Sequence, residues 1–113
     1  TLFPYTTRFR SADIRARQTV KYDINADGTL SNKTLFAPSG SDGVTLDADG
    51  NLYLTSGRAV QVYDKTGQRI ESIPVPEVPS NVCFGGKDKQ TLFITARTGF
   101  YAVKTRVHGV GYQ

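Results

Sequence analysis

From residue 18 onward, short apolar runs alternate with polar turns rich in Gly, Asp and Asn. No stretch repeats apolar residues at i, i+3, i+4 and i+7, so essentially no helix is predicted. The runs 18–22 (QTVKY), 33–36 (KTLF), 44–46 (VTL), 52–55 (LYLT) and 59–63 (AVQVY) read as strands, being β-branched and aromatic. So do 69–73 (RIESI), 81–84 (NVCF), 91–95 (TLFIT) and 99–104 (GFYAVK). The DINADG stretch at 23–28 and the DADGN stretch at 47–51 read as tight turns, with Gly50 supplying a positive φ.

The pattern then recurs. The segment ending at Tyr63-Asp64 echoes the one ending at Tyr22-Asp23, and 92–95 (LFIT) echoes 52–55 (LYLT). Asp42 opens one unit as Asn81 opens the next. A period of about 40 residues with several short strands per unit is the signature of a β-propeller blade. Four strands, A to D, fill the complete unit at 41–76: A over 44–46, B over 52–55, C over 59–63 and D over 69–73. Pro74, Pro76 and Pro79 carry the chain back to the axis, since Pro cannot sit in a central ladder. A last blade occupies 80–113, and 12–37 holds only the outer two strands of an earlier one. Propellers close with about 4 to 8 blades. The expectation is therefore an all-β chain, a little over two blades, from the C-terminal portion of a longer propeller. With edges uncovered, such a piece is expected to fold marginally on its own.

Composition fits this picture. The 113 residues include eleven Gly, five Pro, six Tyr and six Phe, which suits many short strands joined by turns. The net charge of +4 is spread over alternating positions, with no basic stripe or reading motif, so no nucleic-acid partner is expected. No apolar run approaches the roughly 18 residues of a membrane span, and none at the start resembles a secretory signal. A soluble protein, cytoplasmic or periplasmic, is expected, with no obligate protein partner. The single cysteine excludes an internal disulfide and leaves the compartment open.

Residues 1–11 (TLFPYTTRFRS) resemble one reading frame of a common sequencing adapter, TLFPYTTLFRS, and differ only at Arg8. They are read as an adapter-derived artefact or a disordered arm and left outside the fold. Without Arg8 and Arg10 the net charge falls from +4 to +2.

Three stretches resemble one family. SDGVTLDADGNLYLT (41–55) is similar to the P-D-G-(x)3-D-x-x-G-N-L-(W/Y)-V segment of the gluconolactonase, senescence-marker-protein (regucalcin) and luciferin-regenerating-enzyme family. YDINADGTLSN (22–32) resembles its Y-D-V-x-x-D-G-T-L-S-N, and SNVCFGGKDKQTLFITART (80–98) its N-x-(A/C)-F-G-G…T-L-Y-(I/V)-T-A-R. The resemblance implies a six-bladed propeller with one divalent metal in its central channel, in a hydrolase of sugar lactones. It implies that Asp42 is a metal ligand and catalytic group, with the other ligands on upstream blades. The metal could be Ca, Zn, Mg or Mn, all compatible with carboxylate and amide oxygens. The substrate of the parent would be an aldonolactone, and the chain alone is expected to be inactive. Ser41 departs from the family's Pro and is read as a small change in turn rigidity. A non-catalytic propeller used for binding or scaffolding is the alternative. A calcium-dependent esterase propeller resembling paraoxonases is a third reading, disfavoured by the match to the gluconolactonase tail.

Other candidates divide by chemistry. Taken alone, Asp42 could equally be an Asx-turn residue. Asn81 could hydrogen-bond a substrate hydroxyl or cap the turn entering its strand. Arg97 could meet a sugar acid or be a solvated loop residue. Asp23, Asn25 and Asp27 mimic half a calcium loop, but Thr34 stands where a bidentate Glu is required. His108 is expected to be exposed, with no G-x-S-x-G elbow in the chain. Cys83 is expected to be buried between Val82 and Phe84.

Overall fold

A computed structural model describes residues 8–13 and 15–110. The chain divides into two compact units, Thr1–Gly40 and Ser41–Gln113. Ten strands and no helix are found among the described residues.

In the first unit, β1 (Arg8–Asp13), β2 (Gln18–Ile24) and β3 (Leu30–Ala37) form an antiparallel sheet in the order β1-β2-β3. The sequence pattern predicts only the last two. Arg8 to Ser11, expected outside the fold, pair with Asp23 to Val20. Strand pairing uses only backbone N–H and C=O groups, which any non-proline residue supplies. The low β-propensity of RFRSAD therefore hides a strand that its neighbour can still recruit. Residues 1–7 of the adapter-like stretch lie outside the described residues. Phe36 is buried, and the Arg10 guanidinium lies 4.8 Å from its ring centroid.

The second unit holds a complete four-stranded sheet and a three-stranded one. The first consists of β4 (Val44–Leu46), β5 (Leu52–Ser56), β6 (Ala59–Tyr63) and β7 (Arg69–Pro74), antiparallel in that order. The second consists of β8 (Pro79–Gly85), β9 (Thr91–Ala96) and β10 (Phe100–Lys104). The strand order matches the predicted A-B-C-D and A-B-C layout. Period-two alternation puts Tyr53, Val60 and Val62 on one face of the first sheet. Val82, Phe84, Leu92 and Ile94 share one face of the other. These residues form a single buried cluster, in which Tyr53 meets Phe84 edge-on at 5.1 Å.

Three hairpin turns are built alike. In Asn25–Thr29, Asp47–Asn51 and Asp64–Gln68 the first residue's N–H donates to the fifth residue's carbonyl. The glycine at the fourth place returns an N–H to the first residue's carbonyl. Gly28, Gly50 and Gly67 have φ of 89°, 87° and 92°, the left-handed conformation that glycine adopts without strain. The calcium-loop mimic is consumed here. Asp27 accepts from Thr29, Asn25 bonds Thr29 and Ser31, and Asp23 accepts from Asn32.

Asp47 does more than shape its turn. It is fully buried. Its Oδ1 accepts the N–H groups of Asp49 and Asn51 at 2.9 and 3.0 Å, and its Oδ2 accepts Asn51 Nδ2 and the Tyr53 hydroxyl at 2.8 and 2.9 Å. Burial first, and then the hydrogen bond to this carboxylate, pushes the Tyr53 phenol far above its ordinary value. Asp47 also bridges Gly109, while Ala48 N–H donates to the His108 carbonyl and Val110 N–H to the Leu46 carbonyl. Gly109 crosses against Phe84, where an added Cβ would come within 2.5 Å of the Phe84 Cβ.

The crossover between the two sheets is pinned by Glu77. Its Oε1 accepts from the Thr98 backbone N–H and hydroxyl, and its Oε2 accepts from the Tyr101 hydroxyl at 2.7 Å. The Thr98 and Tyr101 hydrogen bonds, with the Arg58 charge behind them, hold the Glu77 carboxyl below the ordinary glutamate range.

Two predictions follow from these carboxylates. Replacing Asp47 with Ala strands four donors, and chemical denaturation of the full chain should show a loss of about 2–4 kcal/mol. Tyr53→Phe should cost about 1–2 kcal/mol, and the double variant less than the sum of the singles. A lowered folded-state value makes the Glu77 contribution complete above the ordinary glutamate range and lost as pH falls through the folded-state value. The melting temperature of the wild type should therefore exceed that of Glu77→Gln near neutrality, with the gap closing in acid. A gap that widens in acid overturns this assignment.

Candidate functional site

The loop entering β4 is closed by hydroxyl groups. Ser41 is buried and its Oγ donates to the Gly43 carbonyl at 2.6 Å. The same oxygen lies 2.9 Å from Thr55 Oγ1, near the end of β5. The Gly43 N–H is shared between Ser41 Oγ and Thr55 Oγ1, each at 3.2 Å, and Thr55 N–H donates to the Gly43 carbonyl. Ser41 is therefore more than a softer substitute for proline: its side chain ties the start of one inner strand to its neighbour.

Gly43 packs on the next sheet. A Cβ built on it would lie 2.4 Å from Asn81 Oδ1, 2.6 Å from Asn81 Cα and 2.8 Å from the Ser80 carbonyl oxygen. Only glycine permits this approach. It brings the starts of β4 and β8 together and so sets Asp42 and Asn81 at the same end of adjacent inner strands. Asp42 is exposed, and its carboxylate makes no hydrogen bond or ion pair among the described residues. The Asx-turn alternative lacks the hydrogen bond that would define it. Asn81 is also exposed, and its Oδ1 accepts the Val82 N–H at 2.9 Å.

An unengaged carboxylate suits a hard divalent cation, having no competitor to displace, and supplies part of a ligand set. Among the described residues no three His, Cys, Asp or Glu side chains come together.

The other candidates lie apart. Arg97 is exposed beyond β9 and lines a shallow cleft of about 280 Å³ with Arg58, Pro76, Glu77 and Val78. His108 is half-buried, contrary to expectation. Its Nδ1 is 2.6 Å from the Asp88 carbonyl oxygen, because residues 107–110 are drawn between the two sheets' turns. Cys83 is exposed, also contrary to expectation. Alternation along β8 turns Val82 and Phe84 inward and so turns Cys83 out. The roles of Ser41 with Thr55, and of Asp47, were not foreseen. One signal for the first was present: Ser80 and Thr95 recur at the matching places in the next unit.

Among the described residues no helix is long and apolar enough to cross a membrane. Residues 4–98 match the family described as SMP-30/Gluconolactonase/LRE-like region. Regucalcin of Danio rerio is 31% identical over 83 residues, 66% of this chain and 28% of that protein. Pentonolactonase XacC of Haloferax volcanii is 30% identical over 101 residues, 81% of this chain and 35% of that protein. A solved structure provisionally named a gluconolactonase superposes with a TM-score of 0.87 and 28% identity, covering 97% of this chain and 39% of that one. The chain thus spans about a third of the length of the relatives it matches, and its sheets are blades of their β-propeller fold. With the match extending over most of its residues, the chain belongs to the SMP-30/gluconolactonase/LRE-like family.

Proposed function

We propose that the protein carrying this chain hydrolyses a sugar lactone, and that Asp42 holds a divalent cation in the reaction centre. The observation that carries this is the state of Asp42: exposed, unbonded among the described residues, and fixed in place by its two neighbours. Relatives named for lactone hydrolysis support the substrate class. When bound, such a cation supplies Lewis-acid polarisation of a carbonyl and acidifies a water.

The residues present have definite tasks in this reading. Asp42 offers carboxylate oxygens to the cation and is a group able to take a proton from the attacking water. Asn81 keeps an amide NH2 with which to hold a sugar hydroxyl. One carboxylate falls short of the roughly six to eight oxygens that calcium takes. The remaining donors come from water, substrate or the rest of the protein, and the 113-residue chain by itself is inactive.

The test is turnover of a panel of aldonolactones by the full-length protein. Asp42→Asn should lower kcat/KM at least about 100-fold and weaken cation uptake in the same variant. Undiminished hydrolysis by Asp42→Asn removes Asp42 from the reaction centre. A wild-type protein that turns over no lactone in the panel favours a binding or scaffold propeller instead.

A further inference from the structure

We infer that the buried hydroxyl pair Ser41–Thr55 is the positioning device for Asp42, holding the turn in the one conformation that presents its carboxylate to a divalent cation. The inference rests on the reading of Asp42 as a cation ligand.

The protons in this pair can be assigned. A hydroxyl has one proton to donate and two lone pairs to accept with. Ser41 spends its proton on the Gly43 carbonyl, the shortest contact of the group at 2.6 Å. The proton between the two hydroxyls must then come from Thr55, donated to Ser41 Oγ over 2.9 Å. Thr55 Oγ1 stays an acceptor for the Gly43 N–H, which it shares with Ser41 Oγ. Ser41 Oγ thus donates once and accepts twice, with nothing left over. Both side chains are shielded, at 9% and 4% exposure, so water does not compete for these bonds.

The next unit repeats the arrangement without the shielding. Ser80 Oγ lies 3.2 Å from Thr95 Oγ1 and 3.3 Å from the Thr95 carbonyl oxygen, and both residues are exposed. That pair precedes Asn81, a neutral residue whose Oδ1 is already engaged by Val82. The buried, saturated version stands beside the acidic residue and the open version beside the amide. On its other side Asp42 is followed by Gly43, which is clamped against Ser80 and Asn81. The backbone is thereby fixed on both sides of a carboxylate that has no hydrogen bond of its own among the described residues. A ligand needs that combination: a held backbone and a free donor.

The test titrates the full-length protein with Ca2+, Mg2+, Mn2+ and Zn2+, each alone, by calorimetry, with circular dichroism confirming that each variant is folded. Ser41→Ala and Thr55→Val should each weaken cation binding by about 10-fold, the scale on which supports of a ligand act. The double variant should bind no more weakly than either single, because the pair acts as one unit. Ser41→Pro should restore affinity, since its ring fixes φ without a hydroxyl. Ser80→Ala with Thr95→Val should leave affinity unchanged. Should Ser41→Ala fail to fold, Thr55→Val and Ser41→Pro carry the test. Wild-type affinity in folded Ser41→Ala and Thr55→Val, alongside weakened binding in Asp42→Asn, overturns the positioning role and leaves Asp42 a ligand. Wild-type affinity in Asp42→Asn, or uptake of none of the four ions by the wild type, overturns both readings.

Discussion

A single buried aspartate stands at the junction of the second unit. Asp47 sits where three pieces of chain meet: its own hairpin, the aromatic that crosses to the next sheet, and the segment carrying Gly109. A carboxyl group so fully removed from water is tolerable only when every oxygen is satisfied, and four donors do that here. The arrangement locks the Tyr53 ring angle, and Tyr53 against Phe84 then sets how the two sheets face each other. The candidate site at the opposite end of β4 inherits that alignment, because Gly43 can meet Asn81 only if the sheets are held in that register.

Much of this was legible in the sequence. Strands β4 to β10 and their antiparallel order follow from period-two runs and from turns whose chemistry is local. The Asp-x-x-Gly spacing demands a left-handed residue, and only glycine supplies one cheaply. Asp42 was legible through family resemblance and Asn81 through the repeat. Other features were hidden for physical reasons. Strand β1 is hidden by the adapter-like sequence in which it begins, yet its backbone pairs with β2. The Ser41–Thr55 bond spans fourteen residues and joins two unremarkable hydroxyls, so nothing local announces it. His108 looked like a tail residue because its partners, Asp88 and Ala48, are distant in sequence. Cys83 sits between apolar neighbours in sequence, but strand alternation turns it to the opposite face from Val82 and Phe84.

The two inner strands show how one framework can hold unequal local environments. Ser41-Asp42 and Ser80-Asn81 occupy matching places, and each serine reaches a threonine near the end of the neighbouring strand. Burial and charge make them different. The first has a shielded support and a free carboxylate, and the second an open support and an amide partly engaged with its own backbone. A repeat supplies the same geometry to both units, and burial and charge then give the two serine–threonine pairs different surroundings.

The three matching hairpin turns have a consequence for how the chain reaches this structure. Every bond that closes them lies within five residues, so each has low contact order and little loop entropy to overcome. Hairpins of this kind form on the order of 1–10 μs. The slow part of folding is left to the pairings that no turn can encode, above all the arrival of Gly109 beside Asp47. Until that pairing forms, Asp47 has the donors of its own hairpin but lacks the distant backbone bridge that completes its surroundings.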